Sequence, residues 1–151
     1  MVKKTKDIKY YEGVGRRKES VARVRLYLTN REKTALIGQA KVKAGQVIVN
    51  GQPFEKAITT AYKRDFILTP LRLTDNLDRF AMSVIVYGGG QNGQLEAIIH
   101  GLSRALDAVD KVTFRPVLKK EGFLRRDPRK KERRKVGTGG KARRLKQSPK
   151  R

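Results

Sequence analysis

The character of the chain changes near residue 119, and that change decides where a core can form. Residues 1 to 118 hold 21 basic and 11 acidic side chains, a net of +10, whereas residues 119 to 151 hold 16 and 3, a net of +13. The later segment offers only Phe123, Leu124, Val136 and Leu145 as sizeable apolar groups. Ordering a residue costs about 1–2 kcal/mol of backbone entropy, which so few apolar side chains cannot offset. Alone in water this segment is expected to be disordered, so the core must come from the residues before it. With 151 residues in all, the chain has room for one core plus extensions. The expected organisation is a basic N-terminal arm over 1–9, a globular body over 10–122 and an extended basic tail over 123–151.

The formal net charge of +23 is self-repelling unless a polyanion neutralises it. Nucleic acid and an anionic membrane would both serve. No apolar run approaches the roughly 18 residues of a membrane span, and no basic amphipathic helix backed by aromatics is present, so membrane binding is not expected. The chain has no cysteine, which removes disulfides, thiolate nucleophiles and zinc sites built on Cys ligands, and fits the cytoplasm. The residues Met1 to Asp7 lack the apolar centre of a secretory signal.

The body reads as strands alternating with helices. Val21 to Leu28 alternates, with Val24, Leu26 and Leu28 on a packed face and Arg23, Arg25 and Tyr27 on a basic one. Val47 to Val49 is a short strand leading into an Asn50-Gly51 turn, after which Pro53 opens a helix through about Lys63. Phe80 to Tyr87 is the best central strand, closed by Gly88-Gly89-Gly90. After Gly93, the residues Leu95, Ile98, Ile99, Leu102, Ala105, Leu106 and Val109 fall on one helical stripe. A shorter helix is expected over Phe114 to Lys120, with Pro116 near its first turn and Gly122 ending ordered structure. Arg31 to Gln46 lacks a clean period and reads as a connection or hairpin.

Gly13-Val14-Gly15-Arg16-Arg17-Lys18 puts two glycines before three cations, so the backbone could approach a phosphate while the side chains neutralise it. A solvated turn before a strand is the alternative. Arg23 and Arg25 extend the positive surface onto that strand, which suits recognition of RNA by shape and phosphate spacing. The loop Gly88 to Gly93 stands where backbone amides at a helix N-terminus can hold an anion, or it is a tight turn that lets the helix pack on the sheet. It does not fit a nucleotide-binding loop, which needs Lys and then Ser or Thr after the last glycine; Gln94 and Leu95 follow here, and Gly140-Lys141 continues with Ala142. His100, the only histidine, reads as a hydrogen-bonded structural imidazole rather than a general base. No nucleophile, base and orienting group come together, so neither an enzyme nor a resident metal or cofactor is expected. The run Arg125 to Lys135 is dense enough to bind a phosphate backbone by counterion release. From Phe123 onward the tail could span roughly 95 Å at about 3.3 Å per residue. The low aromatic content argues against a base-stacking sheet platform.

Three ordered blocks carry a resemblance. Tyr10-Tyr11-Glu12-Gly13-Val14-Gly15-Arg16-Arg17-Lys18 running into Ala22-Arg23-Val24, the block from Gly88 through His100-Gly101-Leu102-Ser103-Arg104-Ala105-Leu106, and Gly122-Phe123-Leu124-Arg125-Arg126-Asp127 leading to Glu132-Arg133-Arg134-Lys135-Val136-Gly137 are similar to the motifs of the universal small-subunit ribosomal protein nine family in its bacterial form. The resemblance covers most of the chain. It implies an α+β, ribosomal-S5-domain-2-like two-layer sandwich with a long extended basic C-terminal tail, a place in the head of the small subunit of the cytoplasmic ribosome, and contacts with small-subunit rRNA, peptidyl-site tRNA and neighbouring head proteins. By residue matching, Lys150 and Arg151 contact the tRNA. Arg16, Arg17 and Lys18, with Arg125, Arg126, Arg129, Lys130, Lys131, Arg133, Arg134, Lys135, Lys141, Arg143, Arg144 and Lys146, hold rRNA; Arg23 and Arg25 join them from the strand reading.

Two departures stand out. The connection from Leu28 to Gln46 is longer than the short turn usual in the family, and Pro149 precedes Lys150-Arg151 where the family often has a plain Ser-Lys-Arg ending. Proline fixes its own φ and restricts Ser148, which changes the backbone of the last turn. The leading expectation is a non-catalytic rRNA-binding and tRNA-supporting protein. The alternative is a free RNA chaperone or nucleoid-type protein, for which charge alone would suffice.

Overall fold

The computed structural model describes residues 10–29, 33–37 and 40–133; the expected arm and the tail beyond Arg133 lie outside the described residues. The element order is β1 (Tyr10–Arg17), β2 (Ser20–Leu28), β3 (Thr34–Ile37), β4 (Ala40–Lys43), β5 (Val47–Val49), β6 (Gln52–Pro53), α1 (Phe54–Ala57), α2 (Ala61–Leu73), β7 (Phe80–Tyr87), α3 (Gln91–Val109) and α4 (Lys111–Lys120). Five strands form one sheet in the order β1-β2-β7-β5-β6, and β3 and β4 form a separate hairpin. β7 is antiparallel to β2 and parallel to β5. The mixed α+β expectation holds at this level.

The central pairing follows from side-chain alternation. Ala22, Val24 and Leu26 of β2 stand opposite Val86, Val84 and Met82 of β7, and all six are buried on the helical side of the sheet. The apolar stripe of α3, with Ile98, Leu102, Ala105 and Leu106, covers them, joined by Ile67 and Leu71 of α2 and Phe114 and Leu118 of α4. At Asn50-Gly51 both residues have positive φ (49° and 79°), the backbone of a two-residue hairpin turn between β5 and β6.

Several elements differ from the sequence reading, each for a physical reason. Gly13 to Arg17 is neither a phosphate loop nor a solvated turn but the second half of strand β1, paired residue for residue with β2. Gly13 and Gly15 face α3. A Cβ on Gly13 would lie 2.1 Å from the Gly101 carbonyl oxygen, and one on Gly15 would lie 1.9 Å from that of Ala97. The glycines are there because strand and helix touch backbone to backbone. Tyr27, expected on an exposed basic face, is buried with Ala35, Val42 and Ala81, because the β3–β4 hairpin covers one end of the sheet's other face. Leu28, expected in the core, is 37% exposed at the strand's end.

The helix expected from Pro53 to Lys63 is broken at Ile58-Thr59-Thr60, and its second part runs on to Leu73. The break is held by Arg64, whose guanidinium donates to the carbonyls of Ile58 (3.0 Å) and Thr59 (3.3 Å). α3 begins at Gln91, before Gly93. α4 begins at Lys111, where the Asp110 carboxylate accepts from the amides of Val112 and Thr113. Pro116 sits well inside α4 rather than in its first turn. Order does not end at Gly122, since Phe123 and Leu124 pack against the core.

Candidate nucleic-acid interface

β1 and α3 are in backbone contact, and Arg17, the last residue of β1, reaches beyond them to the root of the tail. Its position in the strand turns it to the helical side, in line with Gly13 and Gly15. Its Nε donates to Glu96 Oε2 of α3, its Nη2 pairs with Asp127 Oδ2 at 3.1 Å, and its Nη1 donates to the Arg129 carbonyl at 2.6 Å. Arg17 is 8% exposed. Its charge is therefore spent internally, holding strand, helix and tail root together. Of the cations matched to rRNA contact, this one belongs to the scaffold. In sequence Glu96 reads as an ordinary helical pairing with His100 or nearby cations, whereas its partner is Arg17 of another element; no sequence reading gives Asp127 a role. Asp127-Pro128-Arg129, an acid two residues before a cation across a proline, was the available signal.

Asp127 also accepts from Arg129, through the backbone amide at 2.9 Å and through Nε and Nη2. The Arg129 guanidinium, then its amide, hold the Asp127 carboxyl well below the usual carboxylate range, so the clamp keeps its negative partner throughout ordinary pH. Lys130 approaches Glu19 of the β1–β2 turn at 3.5 Å. His100 makes a second link, between β1 and α3: its Nδ1 accepts from the Arg16 amide at 3.3 Å. Burial, then the Arg104 and Arg126 charges, push the imidazole below its ordinary value against the opposing pull of Leu124. The neutral ring matches the structural role read from the sequence.

These links put the β1–β2 turn, with Lys18, beside the start of the tail, while Arg16 and Arg23 lie on the sheet face turned away from the helices. Arg16, Lys18 and Arg23 are exposed, as are Arg125, Arg126, Arg129, Lys130, Lys131 and Arg133. Arg125, Arg126 and Arg129 line a shallow concavity with Gly122, Asp127 and Pro128, a shape and charge suited to a phosphate group. Arg25 is half-buried, paired with Glu12 at 2.8 Å and stacked over the Tyr10 ring, so its charge is partly satisfied. Arg134, Lys135, Lys141, Arg143, Arg144, Lys146, Lys150 and Arg151 lie outside the described residues.

The glycine loop has a packing role. Gly88 and Gly89 take positive φ (74° and 60°) and close over the turn, where the buried Ser20 hydroxyl donates to the Gly88 carbonyl at 3.0 Å. A Cβ on Gly89 would meet that hydroxyl at 2.2 Å. Beside the loop is a cleft of about 280 Å³ bounded by Asn50, Ile58, Thr60, Lys63, Gln91 and Gln94 among others. Its one charged lining residue, Lys63, donates to Gln91. No acid and base face each other across it.

A body that uses acids to fix a tail root, and leaves many Arg and Lys exposed outside, has the design of an RNA-binding scaffold protein that grips phosphates. Among the described residues no helix is long and apolar enough to cross a membrane. The comparison with known families is consistent with that design: residues 15–151 match the family model described as Ribosomal protein S9/S16, and the chain belongs to that family. It is thus a structural protein of the small ribosomal subunit that binds rRNA in the ribosome, and its family is of a non-enzymatic kind.

Proposed function

We propose that the body and tail together secure rRNA in the head of the small subunit of the cytoplasmic ribosome, and that the end of the tail supports peptidyl-site tRNA. The observation that carries this reading is the Arg17 clamp, which pins the tail root at Asp127 and Arg129 beside the cationic turn. Arg16, Lys18, Arg23 and the tail-root cations Arg125, Arg126, Arg129, Lys130, Lys131 and Arg133 contact phosphates; Arg25 contributes from the sheet. The tail cations Arg134 to Lys146 continue the same grip, and Lys150 and Arg151 contact the tRNA. Arg17 acts by holding the tail root in place. The fold is of the ribosomal-S5-domain-2-like kind, with the arm over 1–9, a body from residue 10 that takes in Phe123 and Leu124, and the tail beyond them.

The test is tRNA binding to the peptidyl site of small subunits reconstituted with full-length protein or with a variant lacking Lys150 and Arg151, across a salt series. Truncation should weaken binding and flatten the salt slope while subunits still assemble. Unchanged binding and slope would leave the tail as an rRNA anchor only.

A further inference from the structure

The face of the sheet turned away from the helices is used unevenly. At one end the β3–β4 hairpin buries Tyr27 and Ala81, with Tyr10 and Ile48 packed alongside. Arg25, lying over Tyr10 at 4.8 Å and paired with Glu12, closes the edge of that covered half. The other half is open. There the register sets Val21 between Arg16 and Tyr87, and Arg23 between Val14 and Ile85. Tyr87 is 61% exposed and Ile85 40%, and Arg16 and Arg23 are exposed beside them. Neither arginine has an ion-pair partner among the described residues.

The spacing is specific. Arg23 is the diagonal neighbour of Tyr87 across one strand pair, about 7–8 Å away. Arg16 lies two strands over, about 10 Å from Tyr87 at roughly 4.8 Å per strand. The centre of a protein–protein contact is depleted of charge, whereas this patch alternates unpaired guanidinium groups with an aromatic ring on a rigid sheet. That combination suits a polyanion whose bases can stack.

We propose that this open half of the sheet is a second RNA contact, in which an unpaired nucleobase stacks on Tyr87 while neighbouring phosphates lie against Arg23 and Arg16. It rests on the rRNA-binding reading above and adds a non-ionic component to it. Tyr87 gives the sheet a single stacking position, one that the low aromatic content of the chain argued against.

The test uses the full-length chain and a fragment of small-subunit rRNA that the protein protects from nuclease. Tyr87→Ala should weaken binding roughly tenfold at every salt concentration without changing the salt slope, because stacking releases no counterion. Tyr87→Phe should restore most of the affinity, and Arg23→Gln should lower the slope by about 0.7–0.9. Tyr87 is exposed, so the melting temperature should stay the same and report an intact body. In small subunits, a photoreactive benzophenone side chain in place of Tyr87 should crosslink to rRNA. Wild-type affinity in Tyr87→Ala, or crosslinks to a neighbouring protein instead of rRNA, overturns the proposal. If such a result comes with weakened binding of an Arg125→Gln/Arg126→Gln variant, the broader reading survives; no salt-dependent binding by the wild type removes both.

Discussion

Replacing Gly15 by alanine separates the two roles open to this glycine. The added Cβ would lie 1.9 Å from the Ala97 carbonyl oxygen and 2.3 Å from the Gly101 amide nitrogen. Both neighbours are backbone atoms of α3, so no flexible side chain can move aside. Ordinary van der Waals contact begins near 3.4 Å, so β1 and α3 must part by about 1.5 Å, the difference between 3.4 and 1.9 Å. Forcing extra atoms into a packed core costs typically 1–3 kcal/mol, and a clash with backbone on the helix side belongs at the upper end, about 3 kcal/mol. For a body of this size that is a fall of roughly 10–20 °C in melting temperature. Gly90→Ala is the control, because a Cβ there meets nothing within 4 Å, and its melting temperature should stay close to that of the wild type. The assay is thermal unfolding followed by circular dichroism, with rRNA binding measured below the transition. A Gly15→Ala protein that melts like the wild type but binds rRNA poorly would refute the packing argument and reinstate close phosphate approach.

Three further perturbations follow from the same contacts. Arg17→Gln keeps much of the side chain's length but loses the pairs to Glu96 and Asp127, and should cost about 1–3 kcal/mol and speed trypsin cleavage after Arg125 and Arg126; an unchanged cleavage rate would mean the clamp does not hold the tail root. His100 sits below its ordinary value of 6.5, so as pH falls the unfolded chain takes up its proton first. The stability present above about pH 6.5 is then lost progressively towards the folded pKa. From about pH 7.5 to about 5 the melting temperature should drop more for the wild type than for His100→Gln, and equal slopes would exclude His100 as the cause. Leu102→Ala, at a fully buried position of α3, should cost about 2–5 kcal/mol by chemical denaturation, and a loss under 1 kcal/mol would show that the helix packs more loosely than described.

The sequence was readable where local pattern and burial coincide. β2, β5 and β7 alternate or run apolar because their neighbours are other strands and α3, and the α3 stripe is legible because one helix covers most of the sheet. β1 was not legible. Its glycines answer to a helix that begins at Gln91, and nothing within β1 shows that a backbone will press on it. α2 was hidden beyond Lys63 by its polar residues and Pro70. At the interface every cation looked alike in sequence; only the fold brings Glu96 and Asp127 to Arg17 and so separates a structural guanidinium from exposed ones. Tyr87 was legible as the end of a strand, but its exposure on the open half of the sheet depends on where the β3–β4 hairpin stops.

The contacts that close the body also set when it can close during synthesis. The Arg16 amide meets a histidine 84 residues later, and Arg17 meets a carbonyl 112 residues later. At about 5–20 residues per second, the first wait is roughly 4–17 s and the second roughly 6–22 s. Until Tyr87 has been made the β1–β2 hairpin lacks its central strand, and until Val109 its helix; in that time it exposes an apolar face and a row of cations within reach of any RNA nearby. The Arg17 contact with Arg129 and the Glu19 contact with Lys130 come late in chain order, so the tail root is fastened only after every strand and helix of the body has been made.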